Sequence, residues 1–226
     1  MANRAAIFDL DGTLYSQRAV RTRMALSLGA LLLRSPKEGA RVIRALRSYR
    51  AAHEMLRHRV TGAIAEEQVA LASKLTDMSA TDLRRIVRDW FELAPLPHVT
   101  AAGAPERVTL FRELRAAGWK IGVLSDYPAN HKLEALGLAD LVDCVRSAQD
   151  EDVNVLKPNP AGLRMLAATM AVEPRGVTYV GDRIDVDGVL ASRWGCRFVD
   201  ITRTTFLHRK GDAAWRDVYK VVVEAP

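Results

Sequence analysis

The chain has 226 residues, of which 49% are hydrophobic and 27% are charged, and its formal net charge is +6. This composition indicates a soluble globular protein with a sizeable core and excludes a small scaffold that depends on disulfides. The two cysteines, Cys144 and Cys196, match no metal or redox spacing, so we expect thiols in a reducing compartment. The positive charge favours anionic partners in general.

No segment is expected to span a membrane. The longest apolar stretch, from Met24 to Leu33, is about half of what a membrane span requires. The first predicted strand begins close to Met1, which leaves no room for a signal peptide. We therefore expect a cytoplasmic protein.

The first predicted element is a buried strand over residues 5–10, and two carboxylates lie at its end. Asp9 and Asp11 are two residues apart, so their side chains point to the same side of a strand. Two such charges repel each other unless a proton or a cation neutralises them. The pair predicts a metal site, although a simple Asp-Gly turn is an alternative interpretation.

The stretch from residue 15 to residue 97 is predicted to be helical throughout. Apolar residues recur there at helical spacing, and no strand pattern interrupts them. The predicted helices are one around Met24–Leu32, one from Ser35-Pro36 to Leu56, one over Glu66–Lys74, and one over Thr81–Leu93 with Thr81 as its N-cap. Pro95 and Pro97 are expected to break any helix and to end this block.

Strands and helices alternate after residue 97. The pattern predicts strands over Lys120–Leu124, Leu141–Val145, Gly176–Val180 and Cys196–Val199, with helices over Pro105–Ala117, His131–Leu138, Asn159–Met170 and Val186–Trp194. This alternation predicts a doubly wound parallel sheet, a Rossmann-like α/β core with helices on both faces. The predicted domains are the α/β core, residues 1–14 and 98–226, and an inserted α-helical cap, residues 15–97.

Polar side chains gather after three of the predicted strands. They are Asp9, Asp11 and Thr13 after the first, Ser125 and Asp126 after the second, and Asp182, Asp185 and Asp187 after the fourth. Ligands of such sheets bind at the carboxyl ends of the strands. Asp9 is therefore a candidate nucleophile, Asp11 a candidate general acid and base, and Asp182 a further ligand for a hard cation such as Mg²⁺.

Two further residues favour a phosphoryl group as the ligand. Ser125 offers a hydroxyl donor, and Lys157 offers a compact positive charge suited to phosphate. Taken singly, each residue also fits a plain turn or a surface loop. Together, a nucleophilic aspartate, Mg²⁺, a hydroxyl and a lysine describe phosphoryl transfer.

The motifs and their order resemble those of the haloacid dehalogenase superfamily of hydrolases. The similar stretches are Asp9-Leu10-Asp11-Gly12-Thr13 for the first motif, Ser125 for the second, Lys157 in Leu-Lys-Pro-Asn-Pro for the third, and Gly181 to Asp187 for the acidic fourth. The helical insertion directly after the first motif resembles the cap of the branch that contains phosphoglycolate phosphatase and 2-haloacid dehalogenase. In that branch the cap closes over the site and contributes to substrate choice.

The resemblance implies a role for each residue. Asp9 would form an aspartyl-phosphate, and Asp11 would be the general acid and base. Thr13, Ser125 and Lys157 would hold the substrate phosphate; Asp9, the backbone carbonyl of Asp11 and Asp182 would hold Mg²⁺; Asp185 and Asp187 would support the metal. The implied function is Mg²⁺-dependent hydrolysis of a small phosphate monoester.

The chain departs from the family pattern at two places. The second motif commonly has Asn after its Ser or Thr, whereas Asp126 follows Ser125 here; we expect this carboxylate to turn away from the phosphate. Tyr15-Ser16-Gln17 stands where many phosphoglycolate-type members carry Val-Asp-Ser.

Other functions share these features. A phosphomutase would use the same first half-reaction, and a 2-haloacid dehalogenase would gain nothing from Asp11 and Mg²⁺. A non-catalytic protein that binds anions through the basic cap is the alternative from another class. The basic residues between positions 15 and 60 are Arg18, Arg21, Arg23, Arg34, Lys37, Arg41, Arg44, Arg47, Arg50, Arg57 and Arg59.

We favour a solvated helix face for these arginines, or one or two that hold an anionic part of the substrate. Nucleic acid is not an expected partner, because no aromatic stacking platform accompanies them. His53 is expected to be a packing or surface residue. No feature of the sequence indicates an oligomeric state.

Overall fold

The centre of the structure is a parallel sheet with β1 in its middle. The computed structural model describes residues 3–57, 59, 62–103, 105–206 and 212–223. Within these ranges the sheet has five strands in the order β3-β2-β1-β4-β5. The strands are β1 (Ala5–Phe8), β2 (Lys120–Ser125), β3 (Cys144–Ser147), β4 (Val177–Gly181) and β5 (Arg197–Asp200). The predicted doubly wound α/β core is confirmed, and its strand order reverses between β1 and β4, the place where such sheets bind ligands.

The helices form two groups, a cap segment inserted after β1 and a set that belongs to the core. The cap segment contains α1 (Gln17–Arg34), α2 (Pro36–Leu56), α3 (Ile64–Thr76), α4 (Ala80–Val87) and α5 (Leu96–Ala102). The remaining helices are α6 (Pro105–Ala116), α7 (Asn130–Ala135), α8 (Ala161–Thr169), α9 (Val189–Trp194), α10 (Ile201–Phe206) and α11 (Asp212–Val223). Single π-helical segments lie at Arg88–Leu93 and Ile184–Gly188. Among the described residues, no helix is both long and apolar enough to cross a membrane.

The central strand is buried on both faces of the sheet. Successive side chains of a strand point to opposite faces, so Ile7 and Phe8 belong to two separate apolar clusters. Phe8 packs on Phe111 of α6 with 4.8 Å between the ring centroids. Val218 and Val222 of α11 are buried in the same cluster as Phe8. Burial on both faces fixes the position of β1, and therefore of the residues that follow it.

The cap has an apolar core of its own. The predicted helix from Ser35-Pro36 to Leu56 is confirmed as α2, and its apolar residues pack against α3 and α4. The buried residues of this cluster are Val42, Ala45, Leu46, Tyr49, Ala52, Val69, Ala72, Leu83, Ile86 and Val87. The cap is therefore a packed unit rather than a loop laid over the sheet.

Two local predictions in the cap were wrong. The helix N-cap is Ser79, whose hydroxyl accepts a hydrogen bond from the Asp82 backbone N–H at 3.0 Å, and not Thr81. The prolines at 95 and 97 do not end the helical block, because α5 begins between them; proline is tolerated in a first turn, where its missing N–H is not needed. This helix crosses the predicted domain boundary at residue 97, and residues 1–2 and 224–226 of the predicted core lie outside the described ranges.

The close contact of α1 with α2 predicts opposite effects for two glycine substitutions. In Gly39→Ala the new Cβ would lie 2.6 Å from the Leu32 Cα atom, so we expect the free energy of unfolding to fall by about 1–3 kcal/mol. Gly29→Ala is the matched control, because no described atom lies within 4 Å of a Cβ there. Alanine in a helix interior is favoured by about 0.8–1 kcal/mol over glycine, so that control should be stabilised. Urea unfolding measures both, and a shift of both variants in the same direction would contradict the packing argument.

Candidate active site

Three strand ends bring polar side chains to one edge of the sheet. The neighbours of β1 are β2 and β4, with Phe8 in register with Val123 and Val180. The Asp9 backbone N–H also donates to the Val180 carbonyl at 2.8 Å. As a result Asp9 lies level with the ends of β2 and β4, where Ser125 and Asp182 stand.

Lys157 occupies the centre of this edge. Its ammonium lies 2.5 Å from Asp9 Oδ1 and 2.9 Å from Asp187 Oδ1, and the Thr13 hydroxyl donates to Asp9 Oδ2 at 3.0 Å. Burial raises the pKa of Asp9 to about 7, although the charge of Lys157 opposes this. Burial also disfavours the charged form of Lys157, but Asp187 and Asp9 outweigh it and hold its pKa well above the usual range. The lysine is therefore a fixed positive charge beside the Asp9 carboxylate.

The carboxylates of Asp9, Asp182 and Asp187 fit a hard cation. Each offers an oxygen, and these oxygens lie within 4.8 Å of one another; an all-oxygen set suits Mg²⁺. Two glycines make room for this cluster. Gly12 has φ of +110°, and a Cβ there would overlap the Asp182 carboxylate, while a Cβ on Gly181 would lie 2.5 Å from Asp187 Oδ2. The residues present therefore fit the predicted metal.

Asp11 has partners of its own. Lys132 Nζ lies 2.6 Å from Asp11 Oδ1 and 2.9 Å from Oδ2, and the Tyr15 hydroxyl donates a short hydrogen bond to Oδ1. Burial raises the pKa of Asp11, but Lys132 and Tyr15 together outweigh burial and leave that pKa below its usual value. Asp11 is thus held as a carboxylate that contacts two proton donors.

Asp126 is engaged with the cap. Its Oδ2 accepts from Arg57 Nη1 at 2.9 Å and contacts His53 Nε2 at 3.3 Å, and its Oδ1 accepts from the Lys157 backbone N–H at 3.1 Å. Burial raises the pKa of Asp126, but His53, Lys157 and Arg57 together lower it well below its usual range. Both oxygens of this carboxylate are thus bound by Arg57, His53 and the Lys157 backbone, although Asp126 also borders the cavity that Asp9 lines. That it turns away from the phosphate stays a prediction.

A cavity of about 870 Å³ lies between the cap and this edge of the sheet. From the core it is lined by Asp9, Asp11, Lys132, Lys157, Asp182 and Asp187, and from the cap by Arg21, Arg47, Arg50, Met24, Leu28, Leu46, Trp90 and Phe91. The Arg50 guanidinium stands 5.4 Å from the centre of the Phe91 ring. The site therefore combines an acidic floor with basic and apolar walls.

Comparison with known proteins identifies the family. The family model for haloacid dehalogenase-like hydrolases matches residues 3–192. The chain belongs to this family. The phosphoglycolate phosphatase of Rhodospirillum rubrum is 33% identical to this hydrolase over 193 residues, which cover 79% of this chain and 71% of that protein. The phosphoglycolate phosphatase of Cereibacter sphaeroides is 37% identical over 101 residues, and this match covers 43% of the chain and only 44% of the length of that relative.

Solved structures share the fold of this hydrolase at 20% sequence identity. A HAD phosphatase from Thermococcus onnurineus has a TM-score of 0.63, with 97% of this chain and 98% of that chain covered. A 2-haloacid dehalogenase from Pseudomonas syringae pv. Tomato also has a TM-score of 0.63, with 94% and 90% covered. Phosphatase and dehalogenase carry the same fold, so the fold alone does not identify the reaction.

The structure of the hydrolase gathers most of the residues that the sequence singles out. Around Lys157 it brings together Asp9, Thr13, Asp182 and Asp187. Ser125 ends β2 with its side chain buried, and its oxygen accepts from the Tyr127 backbone N–H at 3.2 Å, which leaves its own proton for another acceptor. Asp11 stands beside the cluster, bound to Lys132 and Tyr15. Asp185 lies apart, with its carboxylate 2.7 Å from Arg183 Nη2.

Sequence reasoning missed the roles of three polar residues. Lys132 reaches Asp11 from α7, where its one signal in the sequence is a place on the buried face beside Leu133. Arg57 lies within a basic stretch of the sequence, and no local pattern indicates its contact with Asp126. His53 is buried and stacks on Tyr127 with 4.6 Å between ring centroids, which confirms a packing role, but no pattern in the sequence indicates its contact with Asp126.

Replacing Lys132 tests how Asp11 is held ionised. Lys132→Met removes the cation that opposes the effect of burial, so we expect the pKa of Asp11 to rise. Breaking a buried ion pair also costs about 3 kcal/mol of the free energy of unfolding. Because the native pKa of Asp11 is depressed, this loss should be full at neutral pH and should shrink as the pH falls below about 4.

Carbon-13 NMR titration of the aspartate carboxyls, with urea unfolding at several pH values, measures both effects. Lys120→Met is the matched control, since Lys120 donates to the Met170 carbonyl at 2.5 Å and pairs in β2 with residue 5 at the other end of the sheet. An Asp11 pKa that is the same in both variants would show that Lys132 does not set it.

Proposed function

We propose that this hydrolase is a Mg²⁺-dependent phosphatase that hydrolyses a small phosphate monoester through an aspartyl-phosphate on Asp9. The observation that carries the proposal is the placement of the Lys157 ammonium against Asp9, with Asp182 and Asp187 within metal-ligand reach. A carboxylate nucleophile that must approach an anionic phosphate needs positive charge on that side. The lysine and the cation site supply it there.

The proposed nucleophile, Asp9, is held in place through contacts to both oxygens of its carboxylate. Lys157 contacts Asp9 Oδ1 and Thr13 donates to Oδ2, so the carboxylate has a fixed direction at the cavity floor. Among the described residues none accepts the Ser125 hydroxyl proton, so Ser125 can donate to an oxygen of the transferring phosphoryl group. The three N–H groups of Lys157 contact Asp9, Asp187 and Tyr179, and its ammonium contributes positive charge beside that group. Such fixed donors stabilise the charge that develops in phosphoryl transfer.

Asp11 serves as the general acid and base. Its carboxylate form suits the second step, in which a base activates the water that attacks the phosphorylated Asp9. The first step needs its acid form to protonate the leaving oxygen. An anionic substrate bound beside Asp11 favours uptake of that proton, and it does so against Lys132 and Tyr15, whose contacts favour the carboxylate form.

Asp9, the backbone carbonyl of Asp11 and Asp182 are the proposed ligands of Mg²⁺, with Asp187 and the more distant Asp185 in support. A bound Mg²⁺ would neutralise phosphate charge and orient the reacting group. The other contributions come from the chain, through Lys157, Thr13 and Ser125.

The cap walls favour an anionic substrate. Arg21, Arg47 and Arg50 line the cavity, and they form no ion pair with a carboxylate in the described part of the chain. Relatives of this hydrolase bear the name phosphoglycolate phosphatase, so 2-phosphoglycolate is the first substrate to test. The volume of about 870 Å³ lies at the upper end of ordinary ligand pockets, about 300–1,000 Å³, and it leaves room for larger esters.

A panel of phosphate esters tests the activity. With Mg²⁺ we expect release of phosphate from 2-phosphoglycolate or another small anionic ester, and no turnover after chelation with EDTA. Asp9→Asn keeps the size of the side chain but removes the nucleophile, so its activity should fall by at least about 10⁴-fold, as for other nucleophile replacements.

The same panel distinguishes the alternatives. Chloride release from a 2-haloacid without metal would indicate a dehalogenase, and turnover that requires a bisphosphate activator would indicate a phosphomutase. No phosphate release from any ester, including an aryl phosphate, would contradict the proposal and favour a protein that only binds anions.

Arg50 is expected to contribute to binding of the anionic body of the substrate. Loss of a charged hydrogen bond costs about 1.5–3 kcal/mol, so Arg50→Gln should raise KM by at least about tenfold with little change in kcat. Arg44→Gln is the matched control, because Arg44 lies on the exposed side of the same helix. Steady-state kinetics on the best ester of the panel measures both. An equal KM for the two variants would show that Arg50 does not contribute to substrate binding.

A further inference from the structure

Arg57 is a cap residue whose guanidinium is buried against the core. It stands at the C-terminal end of α2 and is 8% exposed. Glu54 holds the guanidinium on two sides, with 2.8 Å from Nε to Oε2 and 2.7 Å from Nη2 to Oε1. A bidentate pair of this kind fixes the plane of the guanidinium. The remaining nitrogen, Nη1, is thereby directed at the core.

The target of Nη1 is the backbone around Lys157. It donates to the Lys157 carbonyl oxygen at 2.9 Å and to Asp126 Oδ2 at 2.9 Å. The other oxygen of Asp126 accepts from the Lys157 backbone N–H at 3.1 Å. Both polar groups of this residue's backbone are therefore held, one directly by Arg57 and one through Asp126. The side chain that this backbone carries is the ammonium beside Asp9.

The carboxylate at position 126 matches this arrangement better than the amide that is common in the family. Asp126 accepts from the Lys157 N–H with one oxygen and faces Arg57 and His53 with the other. An asparagine that kept its oxygen on the Lys157 N–H would turn its NH₂ group toward the guanidinium, donor against donor. The residue that departs from the family pattern is thus the one that binds a cap arginine in this chain.

We infer that Arg57 and Asp126 are positioning residues that couple the seating of the cap to the alignment of Lys157. The inference rests on the proposed function for its consequence in catalysis, and on the geometry alone for the alignment itself. When the cap is seated, Arg57 completes the hold on the Lys157 backbone. When it is not, that backbone loses one hydrogen bond, and Asp126 loses a cation that orients it.

Hydrogen exchange tests the alignment without any turnover. In Arg57→Ala we expect the backbone amide of Lys157 to exchange faster than in the wild type, while the Asp9 amide, held by the Val180 carbonyl, keeps its rate. The matched control is Arg84→Ala, which removes a cap arginine paired with Glu66, both of them exposed members of the cap. Wild-type exchange of the Lys157 amide in Arg57→Ala would overturn the inference.

Kinetics on the active enzyme tests the consequence. A displacement of about 1 Å at a reacting group costs about 10²-fold in rate, so kcat of Arg57→Ala and of Asp126→Asn should fall by about that factor, with a smaller change in KM. The double variant should be no worse than either single one, since both break one unit. Arg57→Lys keeps a cation and should recover part of kcat. If Arg57 only anchors the cap, Arg57→Ala should raise KM while its kcat equals that of Arg84→Ala. That result would also overturn the inference.

The two readouts separate this inference from the proposed function. If the wild-type protein hydrolyses no ester of the panel but the Lys157 amide exchanges faster in Arg57→Ala, the coupling inference is kept and the phosphatase proposal is refuted. Wild-type phosphatase activity and an unchanged exchange rate of the Lys157 amide in Arg57→Ala would support the phosphatase and overturn the coupling. Thermal unfolding of each variant identifies any that fail to fold, and Arg57→Lys and Asp126→Asn then provide the same comparison with smaller changes.

Discussion

The ammonium of Lys157 makes the rest of the site possible. A parallel sheet brings the ends of its central strands together, and in this chain those ends carry aspartates whose oxygens lie within 4.8 Å of one another. At that spacing and an effective dielectric constant of about 20, two carboxylates repel by about 3 kcal/mol. Lys157 contacts two of them and offsets this repulsion from within the cluster. The same charge then faces any phosphate that approaches Asp9.

The backbone provides for this crowding as much as the charges do. Gly12 and Gly181 each leave free the space into which an aspartate from the fourth motif folds. Gly12 directly follows Asp11 in the chain, and Gly181 directly precedes Asp182. The site therefore depends on packing as well as on charge. Because Gly12 and Gly181 lack Cβ atoms, three acidic side chains can come together at the ends of β1 and β4.

Sequence reasoning found the parts of the site that local pattern encodes. Asp9, Ser125 and Asp182 could be placed because each follows an apolar run, and parallel strands end at a common edge. The contacts of Lys132 with Asp11 and of Arg57 with Asp126 could not, because their partners lie 121 and 69 residues apart and no periodicity links them. The start of α4 and the existence of α5 were missed for a different reason. Ser79 and Thr81 are both good N-caps, and Pro95 and Pro97 suit a first helical turn as well as a helix end.

Tyr15 lies at the insertion point of the cap and also contacts the site. It is the last residue but one before α1, and its hydroxyl donates to Asp11, so the connection between the two parts of the fold is itself made of site residues. In evolutionary terms the cap is one contiguous segment that recombination can exchange through two junctions while the sheet is left intact. A cap acquired in this way would be accepted only with a compatible residue at position 15 and a cation that meets Asp126. The contacts of Tyr15 and Arg57 with the core thus constrain such an exchange at the junctions of the cap, and they place no constraint on the cap residues that line the cavity.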